Sequence, residues 1–243
     1  MRTIGLALWI LASTGLSLFR AYGQETLHVG PDRPFRTITE ALAVVDSGGQ
    51  VIVHGGTYRE STLVVDRPME LMGVGWPVLD GEGEREILRI EADGVTIQGM
   101  TFEDVGVSYV EDRAAIKVQE AAGCQILKNR IQNAFFGVYL ARVRSCRIAG
   151  NEIVGEAIKE TASGNGIHLW DSRDVEIENN LVANHRDGIY LEFVEDSRIV
   201  GNVSRHHLRY GLHFMFSDGC VYQGNRFEEN SSGVAVMYTK RVR

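Results

Sequence analysis

The sequence contains few of the residues that usually mark a metal site, a redox centre or an interdomain linker. Its 243 residues include four prolines and three cysteines, and no Cys-x-x-Cys pair, His-x-x-x-His pair or methionine-rich tract occurs. Without these motifs, the sequence shows no sign of a zinc ribbon, a thioredoxin-like redox centre or a helical zinc protease. No proline-rich or low-complexity stretch marks a boundary between domains.

Basic residues are also in the minority, with 25 Lys and Arg against 32 Asp and Glu. Residues 1–23 contain two arginines and no acidic residue, so their removal would leave a net charge of 23 − 32 = −9. A nucleic-acid partner requires a clustered basic surface. We therefore expect no nucleic-acid partner.

One long apolar run is present, over residues 4–19, and small residues follow it up to Gly23. This pattern predicts a cleavable signal peptide over residues 1–23, with an uncleaved anchor as the alternative. The run is shorter than the roughly 20 residues of a membrane span, and no second run follows. We expect an exported protein whose residues 24–243 form a single domain, periplasmic if the source is Gram-negative.

The second half of the chain repeats a short pattern in which a glycine is followed by alternating apolar and polar residues. The apolar residues after four such glycines are spaced by 189 − 167 = 22, 212 − 189 = 23 and 234 − 212 = 22 positions. An asparagine also recurs 13 positions after five apolar residues of this column. These asparagines are Asn129, Asn151, Asn180, Asn202 and Asn225.

A period of about 22 residues with two-residue alternation predicts a solenoid of short strands. Helical repeats need periods of about 33 or more, and the leucine-rich consensus is missing. The sequence therefore predicts an all-β, right-handed parallel β-helix whose turns stack about 4.8 Å apart, with like residues above like. The asparagine column is then expected to form a ladder of hydrogen-bonded amides at a bend.

Two further features fit this solenoid. A Thr37-x-x-Glu40 capping box and the stop at Gly48-Gly49 predict a helix over residues 36–46, which would cover the N-terminal end of the solenoid. Twice the repeat lengthens to 29 residues, near 107–113 and near 156–162. These insertions are expected to project as loops on one side of the solenoid.

Each cysteine lies five residues before an asparagine of the column, where other turns carry Val175 and Ser197. This position predicts buried thiols. Cys124 and Cys146 are expected to stack near disulfide distance, and the sequence leaves open whether they are bridged.

Two rows of outward-facing residues are expected on the sheet that follows the repeated glycines, because alternate strand residues face opposite ways. The histidine row is His168, Tyr190, His213 and Ala235, and the methionine row is Trp170, Glu192, Met215 and Met237. Together they predict a patch roughly 15 Å long with almost no Lys or Arg.

A contact surface is the favoured interpretation of this patch, and an ordinary exposed sheet face is the alternative. A copper(I) site at His168, His213 and Met215 is a further hypothesis, because imidazole and thioether suit that ion. His185, His206 and His207 are predicted to lie in solvated turns.

The motifs Asn165-Gly166-Ile167-His168-Leu169-Trp170, Asp187-Gly188-Ile189-Tyr190-Leu191-Glu192, Arg209-Tyr210-Gly211-Leu212-His213-Phe214-Met215 and Gly233-Val234-Ala235-Val236-Met237 resemble those of NosD proteins. The resemblance implies a non-catalytic periplasmic accessory factor for the maturation of nitrous oxide reductase. It implies copper–sulfur cluster assembly with an inner-membrane ABC transporter permease as partner. The reductase or a copper chaperone would be a further partner, and the two rows the functional surface.

The chain is shorter than the NosD proteins that it resembles. We therefore expect that it lacks C-terminal turns of the solenoid. An alternative function is a secreted polysaccharide-binding or polysaccharide-modifying β-helix, similar to lyases and epimerases. It depends on the fold and on exposed Trp170 and Tyr190, which could stack on sugars. This alternative predicts a cluster of carboxylates beside a base in a long groove.

Overall fold

The computed structural model describes residues 26–108 and 110–243. These residues form a solenoid of about nine turns built from short parallel strands, which confirms the predicted all-β parallel β-helix. The predicted signal peptide over residues 1–23 lies outside the described residues.

Twenty-five strands and two short helices make up the described chain. The first part contains β1 (Thr26–Val29), α1 (Ile38–Leu42), β2 (Gln50–His54), β3 (Thr57–Tyr58), β4 (Leu63–Val65), β5 (Glu70–Val74), β6 (Val78–Asp80), β7 (Leu88–Ile90), β8 (Thr96–Gln98), β9 (Thr101–Glu103), β10 (Ala114–Gln119), β11 (Gln125–Leu127), β12 (Arg130–Gln132) and β13 (Phe136–Ala141). The second part contains β14 (Arg147–Ala149), β15 (Glu152–Val154), a 3₁₀ helix (Glu160–Ala162), β16 (Ile167–Arg173), β17 (Glu176–Glu178), β18 (Leu181–Ala183), β19 (Ile189–Glu195), β20 (Arg198–Val200), β21 (Val203–Arg205), β22 (Tyr210–Met215), β23 (Val221–Gln223), β24 (Arg226–Glu228) and β25 (Ser232–Met237).

The strands form three parallel sheets that run the length of the solenoid. Sheet A has the order β1-β2-β5-β8-β11-β14-β17-β20-β23, sheet B β3-β6-β9-β12-β15-β18-β21-β24, and sheet C β4-β7-β10-β13-β16-β19-β22-β25. In sheet C, Ile167 pairs with Ile189 and Ile189 with Leu212, all fully buried. The apolar column read from the sequence therefore forms part of the core, and its alternate residues face outward.

The asparagine column forms the predicted ladder at the bend between sheets A and B. The backbone N–H of Asn151 donates to Asn180 Oδ1 over 2.9 Å, and that of Asn180 donates to Asn202 Oδ1 over 3.0 Å. The Asn180 amide also donates to the carbonyl of Ile148 over 2.9 Å. Each rung thus satisfies backbone groups that the bend leaves without a sheet partner.

The residue before each rung has a left-handed backbone, for example Asn179 with φ 53° and Gly201 with φ 67°. This conformation turns the chain sharply from sheet A into sheet B. Glycine and asparagine tolerate it best, which explains why they precede many of the rungs.

Both predicted insertions lie between the asparagine ladder and the next strand of sheet C. The ladder continues across them, because the N–H of Met100 donates to Asn129 and that of Asn151 to Asn180, each 29 residues ahead. The second insertion contains the 3₁₀ helix Glu160–Ala162. No helix in the described part of the chain has the length and apolar character to cross a membrane.

The capping helix is shorter than predicted. Thr37 and Glu40 form the expected capping box, but α1 covers Ile38–Leu42 instead of residues 36–46. Its Ile38 and Ala41 are buried, and Val45 beyond its end is also buried. Val45 N–H still donates to the carbonyl of Ala41 over 3.0 Å, so the predicted apolar stripe reaches the core although the helix itself ends at Leu42.

All three cysteines are buried with free thiols, as their position in the repeat predicts. They lie immediately before β11, β14 and β23 of sheet A. The same column contains Val175 and Ser197, which are fully buried.

Replacement of Asn180 by Ala should lower the free energy of unfolding by about 2–4 kcal/mol. The change leaves the N–H of Asn151 and the carbonyl of Ile148 buried without their partner. Asn179→Gly is the matched control, because Asn179 is exposed and glycine adopts its left-handed backbone without strain. Urea unfolding of both variants measures the difference, and equal stability of the two would contradict a supporting role for the ladder.

Candidate functional site

The two predicted outward rows lie side by side on the outer face of sheet C. In the histidine row, His168 pairs with Tyr190, Tyr190 with His213, and His213 with Ala235. In the methionine row, the paired residues are Trp170, Glu192, Met215 and Met237. The structure therefore brings together all seven residues proposed as a binding surface from the sequence, in the expected order.

The histidine row is less exposed than the sequence predicts. His168 is 8% exposed and His213 is 1% exposed, while Tyr190 between them is half-buried. The ring centroids of Tyr190 lie 4.8 Å from His168 and 4.6 Å from His213. The row is thus a continuous run of edge-to-face and tilted ring contacts, which exclude water from the imidazoles.

The environment of His168 keeps its imidazole neutral. Its Nδ1 lies 3.3 Å from the side-chain nitrogen of Asn165, and its Nε2 has no hydrogen-bond partner and lies 4.0 Å from Glu192. Burial, assisted by the positive charge of Arg186, lowers the pKa of His168 to about 3. The buried Nε2 of His168 can accept a proton or a metal ion only if the surrounding rings move aside.

Asp187 orients His213 from the preceding turn. The Asp187 carboxylate is 1% exposed, and its Oδ2 lies 3.5 Å from His213 Nδ1. It also accepts from the backbone N–H of Tyr210 over 3.3 Å and lies 3.5 Å from Arg209 Nε. A proton on His213 Nδ1 can be shared with the carboxylate, which leaves the unpartnered Nε2 as the site of the lone pair.

The methionine row is the more accessible of the two. Trp170, Glu192, Met215 and Met237 are all half-buried. The guanidinium of Arg142 lies 5.3 Å from the ring centre of Trp170 and covers part of the indole. At the other end, the thioethers of Met215 and Met237 are neighbours on paired strands.

The predicted copper(I) ligands do not converge on one point. Tyr190 separates His168 from His213, so the two imidazoles cannot share an ion with Met215 in this arrangement. His213 and Met215 do face the same side of β22, and Met237 lies beside Met215. A soft ion fits the end of the patch formed by His213, Met215 and Met237 better than the set predicted from the sequence.

Sequence reasoning missed the extension of the histidine row toward the N-terminus. Tyr139 pairs with His168 and lies 4.8 Å from it between ring centres, and Phe136 packs on both. Burial and the neighbouring Asp112 raise the pKa of Tyr139 above its ordinary value. The signal was present, because Tyr139 follows Val138 as His168 follows Ile167.

The prediction of solvated turns is wrong for His185 and His207, which are 2% and 4% exposed. They occupy equivalent places in successive turns, where the backbone N–H of His185 donates to His207 Nδ1 over 3.1 Å. The N–H of His207 donates to Asn230 Oδ1 over 3.0 Å. The three residues thus form a second ladder, in which an imidazole nitrogen takes the place of an amide oxygen. His206 is exposed, as predicted.

Acidic residues cluster elsewhere, on sheet B. Within the described part of the chain, Asp80, Glu103 and Asp104 are the one group of three or more His, Cys, Asp or Glu side chains whose ligand atoms lie within 4.8 Å of one another. Asp80 pairs with Arg59 over 2.9 Å, and burial together with Asp104 raises the pKa of Glu103. This group contains none of the residues in the two rows.

A groove of about 700 Å³ follows the carboxyl ends of the sheet C strands, next to the methionine row. Its most exposed apolar residues are Phe193, Phe216 and Tyr238, which stack face to face with ring centres 5.2 and 5.0 Å apart. Stacking covers the faces of neighbouring rings and leaves mainly their edges toward the groove. The acidic group on sheet B does not line this groove.

Residues 149–243 match the model of a family described as periplasmic copper-binding protein (NosD). A Pseudomonas aeruginosa protein called probable ABC transporter binding protein NosD is 34% identical over 145 residues, which cover 59% of this chain and 34% of that protein. A Stutzerimonas stutzeri protein of the same name is 32% identical over 135 residues, covering 55% and 31%. The chain thus spans about a third of the length of the curated relatives it matches. The predicted resemblance to NosD is confirmed.

Solved structures with the same fold are much less similar in sequence. The surface adhesin PfbA of Streptococcus pneumoniae has a TM-score of 0.58 at 13% identity, covering 84% of this chain and 65% of that chain. Pectate lyase Pel9A has a TM-score of 0.53 at 12% identity, covering 89% and 79%. Likeness at this level shows a shared pectate-lyase-like β-solenoid and nothing about activity.

His207→Asn should make stability less dependent on pH. Burial lowers the pKa of His185 to about 3 and of His207 to about 4, against about 6.5 in an unfolded chain. As pH falls below 6.5 the unfolded chain therefore takes up protons that the folded chain does not. The free energy of unfolding therefore falls by about 1.4 kcal/mol for each such histidine with every unit by which the pH is lowered.

Between pH 6.5 and 5, removal of one imidazole should recover about 2 kcal/mol of this loss. Asn at position 207 keeps an acceptor for the N–H of His185, as Asn230 does for His207. Urea unfolding at pH 5, 6.5 and 8 measures the effect, with pH 8 as the reference at which the imidazoles are neutral. An unchanged pH dependence would show that folding does not lower the pKa of His207.

Proposed function

Because residues 149–243 match the NosD family, we propose that this chain is a periplasmic accessory factor for the maturation of nitrous oxide reductase. It supports assembly of the copper–sulfur cluster together with an inner-membrane ABC transporter, and it does not catalyse a reaction itself. The observation that carries this proposal is the position of the match, because both rows from His168 to Met237 lie within it. The transporter partner is supported by the names of the relatives.

The two rows serve as the docking surface for the reductase or for a copper chaperone. Their half-buried Trp170, Tyr190 and Met215 offer aromatic and thioether area, which is common in the centres of protein interfaces. Beneath them the buried imidazoles and Asp187 hold the surface rigid. A rigid surface loses little conformational entropy when a partner binds.

Copper(I) is the proposed cargo at the C-terminal end of this surface. The thioethers of Met215 and Met237 are accessible neighbours, and His213 Nε2 is an unpartnered nitrogen on the same side of β22. Thioether and imidazole ligands select copper(I) over hard cations. Asp187 assists by holding the proton of His213 on Nδ1, so that Nε2 stays available.

The alternative, a polysaccharide-binding or polysaccharide-modifying protein, has weaker support. It requires aromatic faces open to sugars, but Tyr190 lies between His168 and His213 and Trp170 lies beneath Arg142. It also requires carboxylates and a base in a long groove. The groove beside sheet C is lined by five carboxylates and by Arg and Lys side chains, but among the described residues none of these carboxylates belongs to a group of three within 4.8 Å of one another. The one such group, Asp80, Glu103 and Asp104, lies on sheet B.

The variant Met215→Leu/Met237→Leu should bind copper(I) at least 10-fold more weakly than the unaltered chain, because both thioethers are lost while the apolar volume is kept. Anaerobic competition with a colorimetric copper(I) chelator measures this affinity. Met72→Leu is the matched control, since Met72 is a half-buried methionine on sheet A. Equal copper(I) affinity of the three proteins would refute the proposed copper site on this surface.

His213→Asn and Met215→Leu should each reduce the copper content of nitrous oxide reductase when this chain is expressed in a denitrifying host that lacks its own NosD. These conservative changes are preferable to alanine, because His213 is buried and its truncation would leave a cavity. Far-UV circular dichroism and urea unfolding confirm folding, and Met72→Leu is again the control. Full maturation with both variants would refute the proposed surface.

A further inference from the structure

Cys124 and Cys146 lie directly beside each other in successive turns of sheet A. The residues that follow them, Gln125 and Arg147, are paired in register, and the N–H of Arg147 donates to the carbonyl of Cys124 over 2.8 Å. Two residues before them, Ala122 also pairs with Arg144. The register is thus fixed on both sides of the cysteine pair.

This arrangement meets the geometric requirement for a disulfide. Parallel strands lie about 4.8 Å apart, and bridged cysteines have Cα atoms about 4.4–6.8 Å apart. Both side chains are inward and almost fully buried, at 1% and 2% exposure. The Cys124 thiol donates to the carbonyl of Ala92 over 3.4 Å, and the Cys146 thiol donates to that of Arg144 over 3.5 Å. Interaction between the two thiols lowers the pKa of Cys124 and raises that of Cys146.

The third cysteine cannot compete for either thiol. Cys220 lies in the same inward column, but Val175 and Ser197 occupy the two turns between it and Cys146. Three stacking steps of about 4.8 Å separate it from the pair, more than twice the reach of a disulfide. Cys124–Cys146 is therefore the one disulfide that is compatible with the native register of these turns.

We propose that Cys124 and Cys146 are a site of oxidative modification and form an intramolecular disulfide when the chain meets a thiol–disulfide oxidant. Where this happens in the cell depends on the proposed export, because disulfides persist in oxidising compartments. The bond joins two successive turns between the two insertions. It joins two cysteines that are 146 − 124 = 22 positions apart in the sequence.

The reaction is an ordinary thiol–disulfide exchange. The thiolate of one cysteine attacks the disulfide of the oxidant, which gives a mixed disulfide and releases the first oxidant thiol. The thiolate of the other cysteine then attacks the mixed disulfide, forms the Cys124–Cys146 bond and releases the second oxidant thiol. The protons of the two cysteines pass to the released thiols, so two thiols are oxidised and one disulfide is reduced. Because the pair is buried, the exchange occurs while these turns are still opening and closing during folding.

The test counts free thiols in the denatured chain with a maleimide–polyethylene glycol reagent that shifts mobility on a gel. The full chain is refolded from urea with oxidised glutathione, and the unaltered protein should give one adduct before reduction and three after it. Cys220→Ser is the matched control and should give none before reduction and two after it. Cys124→Ser and Cys146→Ser should each give two under both conditions.

Three adducts from the refolded, unreduced protein would overturn the inference, as would any disulfide that includes Cys220. The oxidised chain should also unfold at a temperature roughly 5–10 °C above that of the reduced chain, and no difference would count against a bond in the native arrangement. Fractionation of cells that express the chain tests the proposed location separately. If the chain stays in the cytoplasm, the proposed export is wrong. If the bond nevertheless forms on refolding, the assignment of the cysteine pair still stands.

Discussion

The structure depends on one constraint, the hydrogen-bonded stacking of parallel strands at a spacing of about 4.8 Å. This spacing places each residue directly above its counterpart in the preceding turn, so side chains interact in columns. Apolar columns such as Ile167, Ile189 and Leu212 make the core. Polar columns survive inside only where each member satisfies the next, as the asparagine ladder does. The solenoid is therefore stabilised by long, uniform contacts along its axis.

The same constraint shapes the candidate site. His168, Tyr190 and His213 come from three turns and are about 22 residues apart in the chain, yet their rings are in contact. Stacking buries imidazoles that a single exposed strand would leave in water, which accounts for the low pKa of His168. It also lets Asp187 reach His213 in the following turn. A buried imidazole oriented by a carboxylate, beside two half-buried methionines, is a consequence of the repeat.

Much of this could be predicted from the sequence, because the repeat converts spacing directly into contact. The ladder through Asn180, the two outward rows and the buried cysteines follow from period and alternation alone. The burial of His213 could not be predicted, since it depends on how Tyr190 and Tyr210 lean across the face. The second ladder is visible in the spacing of His185, His207 and Asn230, but it requires an imidazole nitrogen to replace an amide oxygen as acceptor. The early end of the helix at Leu42 could not be predicted either, because its capping box and apolar stripe are both present as expected.

The two insertions leave the scaffold unchanged. Across each of them the ladder resumes with ordinary hydrogen bonds, from Met100 to Asn129 and from Asn151 to Asn180. Loop length is therefore independent of the spacing that holds the turns together. Evolution can lengthen, shorten or exchange these loops without re-registering a single strand. A lineage could thus adapt such a protein to a new partner by changes confined to a few surface residues, while the solenoid beneath them is inherited intact.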